Sequence, residues 1–158
     1  MLDSHSHGCR VYSNWPAGDL WRIRVTGSDA SSWFDGAVRL LDIQRFDDAR
    51  GTLASFDFGQ MPFLPVRMFV VSGVPVGTIR GRHALVEQQQ ILVCLGGIIE
   101  VETRWQGGSE TIALARPDLG LFLDRGVWSS QHFAAEGSIL LGLGSGEYDP
   151  NGYRTEVP

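Results

Sequence analysis

Near the middle of the chain stands a histidine, His83, separated by five residues from Gly77. Leu85, Gln89 and Gly96 follow it at short intervals. An imidazole titrates close to neutral pH, so a histidine in a pocket can take a proton from carbon and return it. The competing reading is a structural histidine, hydrogen-bonded to the backbone or to Gln90. The other histidines offer less: His132 reads as a surface or packing residue, and His5 and His7 as a polar tail. A metal centre is not expected, because one or two imidazoles rarely hold a divalent ion without carboxylate or thiolate help.

Composition narrows the chemistry further. All 13 basic residues are arginine and the chain has no lysine. Schiff-base catalysis and covalent attachment of pyridoxal phosphate by a lysine are therefore excluded, and no cofactor is expected. Any phosphate would be held by arginine, whose planar fork suits paired oxygens. A net charge of −5 argues against a nucleic-acid surface. The first ten residues lack the apolar segment of a leader, and no apolar run reaches transmembrane length. Of the two cysteines, Cys9 and Cys94, the latter sits in an apolar run as a buried free thiol, which suits a reducing, cytoplasmic setting.

The elements that must position these residues are strands. Twenty glycines and seven prolines punctuate short apolar runs, the pattern of an all-β domain. Ile91 to Leu95 is a continuous apolar run, followed by a turn at Gly96-Gly97. Beyond it Ile99, Val101, Thr103 and Trp105 alternate with Glu100, Glu102 and Arg104, giving one buried and one wet face. "QGGS" (Gln106 to Ser109) turns the chain into a strand at Thr111 to Ala115. "VRMFVVSG", "GLFLDRGVW" and "SILLGLGS" supply further strands, and the whole suggests a sandwich or small barrel. Residues 1–36 read as an N-terminal extension in which Leu20 to Val25 has the pattern of an added edge strand. Residues 37–158 read as the barrel, with a polar, turn-rich arm after Tyr148.

The spacing from Gly77 to Gly96 resembles the first motif of the cupins. In metal-dependent cupins the positions of His83, Leu85 and Gln89 carry His, His and Glu. From Arg50 to Tyr153 the chain resembles a narrower group, the metal-free nucleotide-sugar 3,4-ketoisomerases. The resemblance rests on "RGTL" (Arg50 to Leu53), "MPF" (Met61 to Phe63) followed by Arg67, and "RGRHA" (Arg80 to Ala84). "QILVCLGG" (Gln90 to Gly97), "RPDLGLFLDRGVW" (Arg116 to Trp128) and "YDPNGYR" (Tyr148 to Arg154) continue it.

The resemblance implies a cupin jelly-roll barrel, a homodimer, and a dTDP-linked 4-keto-6-deoxyhexose as the small-molecule substrate, its keto group moved between C4 and C3. It implies His83 as the catalytic base. It places Arg67, Arg80 and Arg82 toward the substrate pyrophosphate, Gln90 on a substrate carbonyl and Trp128 in the pocket wall. The chain departs from the pattern at Leu85, where the family has a second histidine, at Phe69, where it tends to have tyrosine, and at Val86, where it has lysine. These changes make the site more apolar. They keep two further readings open: an isomerase or cyclase acting on a hydrophobic non-sugar intermediate, and a paralogue that binds without catalysis.

Overall fold

The computed structural model describes residues 32–158, which form antiparallel β-structure almost throughout. The expected strand at Leu20 to Val25, together with His5, His7 and Cys9, lies outside the described residues. In chain order the strands begin with β1 (Ser32–Trp33), β2 (Val38–Asp42), β3 (Gln44–Asp48) and β4 (Gly51–Ser55). They continue with β5 (Arg67–Val71), β6 (Ile79–Leu85), β7 (Gln90–Gly96), β8 (Ile99–Trp105) and β9 (Gly108–Leu114). The last are β10 (Leu119–Leu123), β11 (Trp128–Phe133), β12 (Ile139–Gly144) and β13 (Tyr153–Arg154).

Two sheets face one another, with strand orders β1-β2-β10-β7-β12-β5 and β13-β6-β11-β8-β9. This is the jelly-roll architecture of the cupin expectation. The space between the sheets is filled by Leu92, Cys94, Ile99, Val101, Leu121 and Phe133, all buried. A strand with one wet face alternates, and β8 does so: Ile99, Val101 and Thr103 point inward between partly exposed neighbours.

β7 does not alternate, because it is covered twice. Leu92 and Cys94 face the barrel interior, whereas Ile91 and Val93 join a second cluster with Phe122, Leu141 and Leu143 on the outer face of the larger sheet. Ala54, Phe56, Met61 and Phe63 pack over that cluster. A continuous apolar run is what a strand buried on both faces needs.

The β3–β4 hairpin that contributes to this cover was not expected from the sequence, since all five β3 residues are exposed. It is held by ion pairs from Arg45 to Asp47 (2.7 Å) and to the buried Asp118 (3.6 Å). The turn expected across Gln106 to Ser109 is tighter than "QGGS". Gln106 and Gly107 alone span it, both with positive φ, and Gly108 already belongs to β9. That is the two-residue hairpin turn matching strand twist.

Candidate active site

The site is built on a fault in β6. Opposite β11, Ser129 pairs with His83, but Ser130 pairs with Gly81, so Arg82 is left over as a bulge. Gly81 (φ 75°) and Arg82 (φ 64°) both take the left-handed conformation. A bulge of this kind re-aims the side chains beside it. Gly81 is required twice, by its φ and by space: a Cβ there would lie 2.4 Å from Oε1 of the buried Gln131. Gln131 in turn donates to Ser129 Oγ at 3.0 Å. Gly81→Ala is expected to cost about 1–3 kcal/mol, read as a lower urea midpoint with unchanged slope.

The bulge leaves His83 half-buried on the cavity side. With Leu85, Gln90 and Ser129 it lines a small cavity, partly open to solvent and bounded by Leu123, Val127, Asp124 and Gln88. Burial pushes the imidazole below its ordinary value of 6.5, while a hydrogen bond to the Gly81 backbone works in the opposite direction. A neutral imidazole keeps a lone pair on one ring nitrogen, the form a base needs. The backbone bond of a structural histidine is thus present in a residue that also lines the cavity.

A pH dependence follows. kcat/KM is expected to rise along an acid limb whose midpoint lies below 6.5 and to be level at neutrality, which a pH–rate profile would show. The folded-state value is depressed, so this group's contribution to stability is intact above 6.5 and is lost as pH falls through the window below it.

Of the expected binding residues, the structure brings Leu85 and Gln90 to the cavity with His83. Arg67 and Phe69 share one face of β5, which pairs with β12 as β12 pairs with β7. The row Arg67, Gly144, Gln90 therefore crosses the sheet toward the cavity. Gly142 makes room for Phe69, whose ring would otherwise meet a Cβ at 2.1 Å. The Arg67 guanidinium lies 5.1 Å from the Phe69 ring centroid and 5.4 Å from that of Tyr148. Among the described residues no carboxylate pairs with Arg67.

Arg80 and Arg82 are exposed on either side of Gly81 and are not among the cavity-lining residues. Trp128, expected in the pocket wall, is not among the residues lining this cavity. Strand parity sends Val127 and Ser129 into the cavity and Trp128 away from it. Its indole N–H donates to the Thr155 carbonyl (3.3 Å), and Arg104 covers its ring.

Four residues escaped the sequence reading. Tyr153 stands edge-on to His83, ring centroids 4.7 Å apart, and its hydroxyl accepts a long hydrogen bond from Arg67 Nη2 at 3.5 Å. Asp124 and Ser129 line the cavity, and Gln131 backs it. The only signal for Tyr153 was its place in "YDPNGYR", read as a terminal arm. Gln89, at the position of the cupin glutamate, donates instead to Asp124 Oδ1 at 3.0 Å. Among the described residues no group of three His, Cys, Asp or Glu side chains is disposed to hold a metal ion.

The arrangement of a half-buried histidine lining a cavity, with arginine and tyrosine nearby, can be compared with known proteins. Residues 36–157 match the family model described as FdtA, WxcM-like, C-terminal. The chain belongs to this family. A relative from Aneurinibacillus thermoaerophilus, a TDP-4-oxo-6-deoxy-α-D-glucose-3,4-oxoisomerase, is 27% identical over 116 residues, covering 73% of this chain and 84% of the relative. The QdtA sugar 3,4-ketoisomerase of Thermoanaerobacterium thermosaccharolyticum, solved with TDP, superposes with a TM-score of 0.73. It is 27% identical, covering 76% of this chain and 88% of QdtA. The WlaRB TDP-quinovose 3,4-ketoisomerase of Campylobacter jejuni gives a TM-score of 0.71 and 27% identity, with 75% and 92% coverage.

Proposed function

We propose that this protein is a ketoisomerase moving the keto group between C4 and C3 of a TDP-linked 6-deoxyhexose, with His83 as its carbon acid–base. The observation that carries the reading is His83 itself, half-buried and lining the cavity beside Leu85, Gln90 and Ser129. Membership of a family whose relatives bear this activity supports it.

The chemistry asks little beyond proton transfer. A 4-keto group acidifies the C3 proton, a neutral imidazole takes it, and the same imidazolium can return it at C4. Gln90, reaching the cavity from the buried strand β7, is placed to donate to the sugar carbonyl. Leu85, Leu123 and Val127 give the cavity an apolar side beside His83. Arg67 and the exposed Arg80 and Arg82 supply cation for the pyrophosphate, where forked donors suit paired oxygens. The test is proton NMR of the protein with TDP-4-keto-6-deoxyglucose: a 3-keto hexose is expected, and an unchanged spectrum at stoichiometric enzyme overturns the reading.

The assembly belongs to the same proposal. β5 is the edge of the larger sheet, and its outer face carries Met68 and Val70, both more than half exposed, with Leu64 and Val66 beside them. An open apolar edge invites pairing, and a second copy of the chain is the proposed cover. Light scattering on the eluted protein should give twice the chain mass; a monomer mass contradicts this. A metal-independent enzyme in a reducing, cytoplasmic compartment is part of the same reading, supported by the free, buried Cys94. Among the described residues no helix is long and apolar enough to cross a membrane.

A further inference from the structure

Moving a keto group requires two kinds of proton transfer, between carbons and between oxygens. His83 can serve the carbons. A second group must give a proton to O4 and take one from O3, and the position where the family has another histidine is Leu85. The C-terminal arm brings a tyrosine ring against His83, next to the residues that line the cavity. β13 pairs with β6 so that Tyr153 lies directly opposite Leu85. Directly opposed residues in an antiparallel pair share a face, with Cβ atoms about 5 Å apart. Tyr153 therefore projects from across the ladder on the side where the second imidazole would stand, and it meets His83 edge-on at 4.7 Å. Its oxygen already accepts from Arg67 Nη2, so its own O–H remains to be donated.

We propose that Tyr153 is the second acid–base group of the site and carries the oxygen-bound protons, with Arg67 holding its phenol oxygen in place. The proposal rests on the ketoisomerase reading. His83 removes the C3 proton, and the C–H electrons form the C3=C4 double bond. The C4 carbonyl π pair moves to O4, which takes the proton of Tyr153, giving an enediol. The phenolate, facing the Arg67 guanidinium, then takes the proton from O3. The O3 electrons form the C3 carbonyl, and the double-bond electrons take the proton of the His83 imidazolium at C4. One hydrogen has passed from C3 to C4 and one from O3 to O4, and both side chains are restored.

The test is Tyr153→Phe, which keeps the ring against His83 and removes only the hydroxyl. The variant should melt like the wild type and be stabilised equally by millimolar TDP, while kcat falls about 100-fold with KM little changed. Adding Leu85→His to that variant restores an imidazole on the opposing strand and should recover much of the lost rate. A Tyr153→Phe kcat close to the wild type overturns the relay and leaves the ketoisomerase reading intact. Parallel loss of kcat and of the TDP-induced shift overturns it too, since the hydroxyl would then serve binding. A wild-type protein that forms no 3-keto sugar overturns the relay and the parent reading together.

Discussion

Replacing His83 with glutamine should lower kcat by about 10²–10⁴-fold while leaving TDP binding intact. Glutamine keeps an N–H near the Gly81 carbonyl and fills similar space, so the bulge at Gly81 and Arg82 should survive. What it lacks is a titratable lone pair. The effect belongs in kcat and not in KM, because the base acts on C3 only after the sugar is bound. Steady-state kinetics checks this, with thermal shift in millimolar TDP as the binding control. A glutamine variant within tenfold of wild-type kcat would remove His83 from the chemistry. A structural histidine would show the opposite split, with a lower melting point and no selective loss of turnover.

Phe133→Ala is expected to cost about 3–5 kcal/mol. Phe133 is fully buried between the sheets and pairs with Ile99. Its backbone also fixes the entry to β6: Gly77 N–H donates to the Phe133 carbonyl at 2.9 Å, and Phe133 N–H donates to Thr78 O at 3.0 Å. A cavity there loosens the strand that carries the bulge and His83. A domain of this size commonly has 5–15 kcal/mol in all, so the variant should sit near the limit of folding. Urea unfolding should show a much lower midpoint with an unchanged slope, and a loss under 1 kcal/mol would contradict this account of the core. Phe133→Leu, which leaves a smaller void, should fold and retain a substantial part of the activity.

The parts of the fold that could be read from the sequence are those where one strand decides the pattern. β8 alternates because one face is wet, and the turn at Gln106-Gly107 declares itself by its glycine. His83 is legible from its spacing after Gly77. The β3–β4 hairpin was not, because "QRFDD" is exposed along its whole length and its place is set by Asp118, which pairs with Arg45 across a long sequence separation. Which way Trp128 faces is not legible from its aromatic character, because only the pairing of Ser129 with His83 fixes the parity. Tyr153 was missed for a related reason. It reaches His83 through a two-residue strand across a long sequence separation, and neither periodicity nor local turns report such a contact.

The most direct test of the central claim is proton NMR of TDP-4-keto-6-deoxyglucose with the protein in D2O, run beside His83→Gln. One imidazole that removes the C3 proton and exchanges it with solvent before delivery predicts a 3-keto product carrying deuterium at C4, with the variant nearly silent. Loss of the C3 signal at the same rate in both proteins, or no loss in either, would contradict proton transfer by His83.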